Sequence, residues 1–238
     1  MGQYRTCPFI PYSSGTRVPT AIIAGVTDEQ SVRRDMCEAG RRLHQLGLIG
    51  ACEGNLTARV DDKRLLCTPS GVSKGRMSED ELVVIDLEGN VMGQGTASSE
   101  VLLHLVAYRM RPDCMAVVHA HPLCATAFTV SGVPIPNNVL PEAGQVLGPV
   151  ATVPFAQPGT MDVPYKMEPF LADHKTFLLS HHGAVTLGRN VLDACDRMET
   201  LERIAKILMH AKLLGEVKPL PQHAVETLKT TSLHGNLI

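Results

Sequence analysis

The sequence predicts an α/β protein, a single domain built on a central, mixed β-sheet flanked by helices. Short β-like apolar runs alternate along the chain with segments of helical period. No Pro/Gly-rich linker, internal repeat or low-complexity tract divides the 238 residues. With 44% hydrophobic residues, a chain of this length buries a sizeable core without disulfide or metal staples.

The elements follow in order. Pro8, Pro11 and Pro19 stand among several Gly and Ser, so residues 1–26 read as an irregular arm ahead of a body over 27–238. Thr27-Asp28-Glu29-Gln30 fits a capping box, with the Thr27 hydroxyl as cap and Gln30 reaching back. Val32, Met36, Ala39, Leu43 and Leu46 then recur at helical spacing. Residues 56–60 and 64–68, split by Asp61-Asp62-Lys63, read as a hairpin, and 82–86 as a further strand ending in the turn Glu88-Gly89-Asn90. Ser98 and Ser99 open a helix over 100–111 that Pro112 ends. Residues 116–122, 151–155 and 176–180 are strand-like. A long amphipathic helix over 191–214 carries Leu192, Cys195, Met198, Leu201, Ala205, Leu208 and Ala211 on one side.

Composition removes several function classes. The 22 basic and 24 acidic residues leave a net charge of -2 with no basic block, and aromatics are 4% with no Trp. Neither a phosphate-binding stripe nor a stacking platform for nucleic acid is present. No apolar run approaches the roughly 18–20 residues of a membrane span, and no basic stretch precedes an apolar one near the start. A cytoplasmic protein without a membrane partner is expected. The seven Cys are odd in number, scattered and never in Cys-x-x-Cys spacing, the usage of reduced, packed thiols. Met1-Gly2-Gln3-Tyr4-Arg5-Thr6 fits a myristoylation pattern, a match short enough to be coincidence.

Chemistry concentrates in the histidines. On a strand, His119 and His121 share a face with Cα atoms about 6.6 Å apart, so both imidazoles can converge on one ion. Alone, the pair reads more readily as two hydrogen-bonded histidines at a strand end. His181-His182-Gly183 after the apolar run 177–180 presents another imidazole from a second strand end, and three neutral imidazoles suit a divalent metal of the zinc type with a position left open. Glu100 is a dipole partner in a first helical turn, or a base if the metal is near. Ser98 and Ser99 are caps, or part of an anion pocket at a helix N-terminus. Thr68-Pro69-Ser70-Gly71 and Gly54-Asn55 are turn residues, or phosphate and oxyanion donors.

Taken together, Gly54-Asn55-Leu56, Thr68-Pro69-Ser70-Gly71, Ser98-Ser99-Glu100, Val118-His119-Ala120-His121-Pro122 and His181-His182-Gly183 resemble the class II aldolase/adducin family. Within it, the likeness is greatest to the bacterial fuculose-1-phosphate aldolases, and it covers roughly residues 28–228. The resemblance implies a three-layer domain with a mixed or antiparallel sheet. It implies zinc on His119, His121 and His182, with Mn2+ or Co2+ as other occupants, and acid/base work by Glu100. Asn55, Thr68, Ser70, Gly71, Ser98 and Ser99 would hold the substrate phosphate or its attached oxygens. One family position departs: the tyrosine that a neighbouring subunit offers to the aldehyde oxygen is Leu140 here. Two residues on, Glu142 stands near an acid/base glutamate of the methylthioribulose-phosphate dehydratases, and it is a second proton-transfer candidate.

Three readings result. The first is a zinc-dependent aldolase that splits or joins a small phosphorylated ketose through an enediolate, giving dihydroxyacetone phosphate and an aldehyde. The second keeps metal and enediolate but ends in decarboxylation, 4-epimerisation or dehydration of a phosphorylated sugar or hydroxy acid, a branch that Glu142 favours. The third is a non-catalytic adducin-like module, which the intact histidines and Glu100 argue against. The family also implies a cyclic homotetramer with sites between subunits, where the tail around His223 to His234 would meet a neighbour.

Overall fold

The computed structural model describes residues 28–230. The arm 1–26, Thr27 and His234 lie outside the described residues. Helix α1 (Glu29–Gln45) is capped by Asp28, whose carboxylate accepts from the Gln30 amide at 3.2 Å. The Gln30 side chain donates to Glu79 instead of closing a box. Strands β1 (Asn55–Arg59) and β2 (Arg64–Cys67) form the expected hairpin, and β3 (Val83–Asp86) pairs with β2. Helix α2 (Val101–Met110) starts later than Ser98 and Ser99 suggest. Glu100 holds the cap position, and Ser98 Oγ accepts from the Glu100 amide at 3.4 Å within the preceding turn.

Strand β4 (Ala116–Ala120) is followed at once by α3 (Leu123–Ser131), then β5 (Val150–Val153), α4 (Asp162–Met167), β6 (Thr176–Leu179), β7 (Gly183–Gly188), α5 (Val191–Leu214) and α6 (Gln222–Thr230). The patterning had not identified α3, α4, β7 and α6. Helix α3 begins after Pro122 without a side-chain cap, and its nine residues mix apolar side chains with the hydroxyls of Thr126, Thr129 and Ser131, so no stripe of helical period stands out. β7 starts and ends in glycine, which reads as turn. A single turn of π-helix, Ala143–Leu147, precedes β5.

Among the described residues the strands form one seven-stranded sheet in the order β3-β2-β1-β4-β7-β6-β5. Every neighbouring pair is antiparallel except β5 and β6, so the sheet is mixed. Alternation along each strand divides the apolar side chains between two cores. Leu56, Ala58, Val118, Ala120, Leu178 and Ala184 meet Met36, Leu43, Met198, Leu201 and Ile204 of α1 and α5 on one face. Leu65, Val117, Phe177, Val185 and Leu187 meet Leu103, Leu105, Val163 and Met167 of α2 and α4 on the other. Helices thus cover both faces in three layers, and each fully buried Leu or Phe contributes roughly 1.5–3 kcal/mol. The six cysteines among the described residues are free thiols, four of them buried.

Candidate active site

The antiparallel centre of the sheet brings sequence-distant residues to one end. Asn55 at the start of β1 lies opposite His119 near the end of β4, and Ala120 opposite Ala184 at the start of β7. His119 and Asn55 are odd-numbered neighbours of Val117 and Thr57, so they share the α2 face. His121 follows from the end of β4, and His182 from the β6–β7 turn, where His181 is held at φ 56°. Two glycines admit this closeness. A Cβ at Gly54 would meet the His119 carbonyl oxygen at 2.8 Å, and one at Gly183 would meet the Ala120 carbonyl oxygen at 2.5 Å and the His121 ring at 2.6 Å.

The three imidazoles of His119, His121 and His182 present ligand atoms within 4.8 Å of one another. Their ring centroids are 4.8–5.0 Å apart, and the Nε2 atoms of His119 and His121 stand 3.2 Å apart. Nitrogens each about 2.0–2.1 Å from one ion have such separations. His119, fully buried, donates from Nδ1 to the Ala184 carbonyl at 2.9 Å. A carbonyl only accepts, so the Nε2 lone pair of His119 faces its partners, the usual support of a ligating histidine. Burial first, then neighbouring His119 and His182, pushes His121 down to about 4, leaving it neutral as a ligand must be. The donor set therefore fits a divalent metal of the zinc type.

Glu100 joins this group. Its carboxylate lies 3.5 Å from His119 Nε2 and 3.2 Å from His182 Nε2. Burial alone would raise its pKa, but the adjoining imidazoles of His119 and His182 outweigh that and hold it well below the usual carboxylate range. Glu53, more exposed, lies 3.8 Å from His121 Nδ1.

The other expected residues gather beside it. Asn55 donates from Nδ2 to Glu100 Oε2 at 3.1 Å. Thr68 is fully buried, its hydroxyl accepting from the Leu56 amide at 3.2 Å. Pro69 bridges Ala97, the Ser70 amide donates to Thr96, and the Ser98 amide to Thr68. The Thr68–Gly71 and Ser98–Glu100 segments are therefore stitched together, with Ser70, Gly71 and Ser99 exposed at the seam. Glu142 is exposed before the π turn and makes no hydrogen bond or ion pair to the described residues. The Leu140 side chain packs on the α1/α5 core. His223 is exposed on α6, which docks by its Leu228 carbonyl on the Gln145 side chain.

The sequence profile of the class II aldolase and adducin N-terminal domain matches residues 34–209. The chain belongs to that family. It is 36% identical over 176 residues to a 3-oxo-tetronate 4-phosphate decarboxylase of Haemophilus influenzae, covering 72% of this chain and 84% of the relative. Identity to an L-fuculose phosphate aldolase of Methanocaldococcus jannaschii is 32%, over 71% and 91% of the two chains. The solved structure of YgbL from Escherichia coli, described as an aldolase/epimerase/decarboxylase, superimposes with a TM-score of 0.79 at 30% identity, over 84% of this chain and 99% of that one. Both enzymes carry a small phosphorylated substrate in their names.

Sequence reasoning missed three residues that the family fold brings to Glu100. His104, Thr57 and Tyr108 are buried behind Asn55. The spacing Glu100, His104, Tyr108 puts all three on one face of α2, but that spacing alone does not tell a functional face from an ordinary helical one.

Proposed function

We propose that the protein is a metal-dependent lyase that decarboxylates a small phosphorylated 3-oxo sugar acid, of the 3-oxo-tetronate 4-phosphate class, with Glu100 as the acid/base. The observation that carries this reading is Leu140. Aldol cleavage must take a proton from the hydroxyl that becomes the aldehyde, and the aldolases meet this need with a tyrosine at that position. An alkyl side chain packed on the core can do no such work. Carbon dioxide leaves a 3-oxo acid carrying no proton, so one proton-transfer residue suffices. The carbon–carbon electron pair moves toward the ketone oxygen, and Glu100 delivers a proton taken from solvent to the carbon that lost the carboxylate. For a four-carbon acid the products are CO2 and dihydroxyacetone phosphate.

Bound by His119, His121 and His182, zinc, or Mn2+ or Co2+ in its place, supplies Lewis-acid stabilisation of the charge developing on the ketone oxygen. Ser70, Gly71 and Ser99, exposed at the seam, with Asn55 and Ser98 beside them, hold the phosphate end and fix the carbon skeleton in a reactive pose, while Thr68, fully buried, fastens the turn through the Leu56 amide and does not reach the phosphate with its side chain. The same reading includes a cyclic homotetramer in the cytoplasm. Aldol cleavage is the second reading, favoured by the identity to an L-fuculose phosphate aldolase. A dehydratase would need Glu142 brought to the site.

Metal-loaded protein given 3-oxo-tetronate 4-phosphate labelled with 13C at the carboxyl should release labelled CO2 and dihydroxyacetone phosphate. Glu100→Gln should slow this about 10²–10⁴-fold. Aldehyde release from L-fuculose 1-phosphate, without CO2 from the acid, would replace this reading with the aldolase.

A further inference from the structure

Behind Glu100 runs a polar seam between α2 and β1. Glu100, His104 and Tyr108 stand at steps of four on the helix, about 6 Å per step, and Asn55, Thr57 and Arg59 at steps of two on the strand, about 6.6 Å per step. The two repeats stay in register, and their side chains interlock. Asn55 Nδ2 meets Glu100 Oε2 at 3.1 Å, and Asn55 Oδ1 meets His104 Nε2. His104 Nδ1 meets Thr57 Oγ1 at 2.8 Å, and Thr57 Oγ1 meets Tyr108 OH at 2.9 Å. The Arg59 guanidinium lies over the Tyr108 ring, 5.1 Å from its centroid, and closes the far end. Asn55, Thr57, His104 and Tyr108 are each at least 97% buried.

The direction of every bond follows from the charged end. An ionised Glu100 only accepts, so Asn55 must turn its Nδ2 toward it and its Oδ1 toward His104. Oδ1 only accepts, so His104 Nε2 carries the ring proton. Nδ1 is then a lone pair, which takes the Thr57 hydroxyl proton, and the Thr57 oxygen accepts from Tyr108. A flipped Asn55 amide would set an oxygen against the carboxylate and leave His104 with the wrong tautomer. His104 is the partner that holds the amide from its oxygen side, as Glu100 does from its nitrogen side.

The geometry points to His104 as a positioning residue for Glu100. Its Nε2–H holds the Asn55 amide so that a donor always faces the Glu100 carboxylate, and the Thr57 and Tyr108 hydroxyls complete the hydrogen bonding of the ring on its other side. This rests on the reading of Glu100 as the proton carrier. Asn55 is thereby one link in a fixed chain as well as a residue beside the substrate, which composition and spacing alone did not suggest.

Two amide variants test it. The amide nitrogen of His104→Gln reaches the place of Nε2, whereas that of His104→Asn reaches only the place of Nδ1. Exchange of the hydroxymethyl proton of dihydroxyacetone phosphate in heavy water, with zinc-loaded protein, is the activity readout. A residue that orients a site group through one hydrogen bond is worth about 10–100-fold, so His104→Asn should lose that much exchange rate at full zinc content, and His104→Gln should stay within about fivefold of the native chain. A long-range 1H–15N correlation spectrum of the native protein, with His104 assigned by its loss in the variants, should show the Nε2–H tautomer. An Nδ1–H tautomer, native exchange in His104→Asn, or equal losses in both variants would overturn the proposal. Exchange that survives Glu100→Gln would instead remove the role of Glu100, and the tautomer would still decide whether the chain runs as described.

Discussion

The two faces of the sheet are built from the same strands to opposite ends. On the α1/α5 face the inward residues are apolar almost throughout, and Thr186 hands its hydroxyl to the Ala194 carbonyl at 2.8 Å. On the α2 face the same strands place Asn55, Thr57, Arg59 and His119. A buried polar group costs roughly 1–3 kcal/mol when unpaired, and here Asn55, Thr57 and His119 are paired by hydrogen bonds, while Arg59 donates to the Tyr108 carbonyl and leaves its Nε without a partner. One face therefore holds the sheet together, while the other spends part of its burial on side chains whose orientation is fixed by hydrogen bonds. Strand parity alone decides which residue goes where. A one-residue slip of β1 would move Asn55 and Thr57 onto the apolar side.

Substitutions should separate the two faces. The largest effect belongs to His182→Ala, which removes one imidazole from the cluster. Turnover should fall at least about 10²–10³-fold and zinc content with it, while thermal melting of metal-free protein moves only slightly because the α5 core is untouched. Equal loss of stability would mean that the two faces are not independent. Leu201→Ala, fully buried on α5, should do the reverse. Denaturant titration should show a loss of about 2–5 kcal/mol, with turnover per folded, metal-loaded molecule unchanged.

Gly183→Ala probes the junction. Its Cβ would press on the Ala120 carbonyl and the His121 ring, so stability should fall by about 1–3 kcal/mol. Zinc affinity, read by competition with a chelator, should fall as well. The smallest effect is in acid. Burial, then nearby His119, holds His104 down to about 3, against an ordinary value of about 6.5. Between those values the unfolded chain binds a proton that the folded one does not, so the stability is full above about pH 6.5 and declines as pH falls toward 3. His121 acts in the same direction. In metal-free protein, the acid slope of stability should be shallower in His104→Gln than in the native chain, and identical slopes would contradict a neutral buried imidazole.

Much of this was legible in the sequence, but unevenly. The His-x-His spacing on a strand specified one shared face, and the structure puts both rings there together with His182. The hairpin of β1 and β2 and the long α5 were readable because their apolar periods are regular. Helix α3 and strand β7 were not, since a short helix of mixed apolar and hydroxyl residues lacks a clear stripe and glycine at both ends masks a strand. Asp28 caps α1 where Thr27 had the better motif. His104 escaped because a lone histidine in a helix has no local signature. Its meaning comes from Asn55 and Thr57, which lie 49 and 47 residues earlier. Leu140 was visible as a departure that leaves the tyrosine's role vacant, whereas its packing on the core depends on residues far away in the chain.

The pairing of β4 with β7 has a kinetic consequence. His119 and its carbonyl support, Ala184, are 65 residues apart, and the cluster exists only once the β4–β7 pairing has brought His182 to His119 and His121. Contacts so distant along the chain close late, because loop entropy must be overcome before they reward it. High-affinity metal uptake during refolding should therefore lag the appearance of helical signal. The histidine cluster acts as a clock that registers when the centre of the sheet has shut.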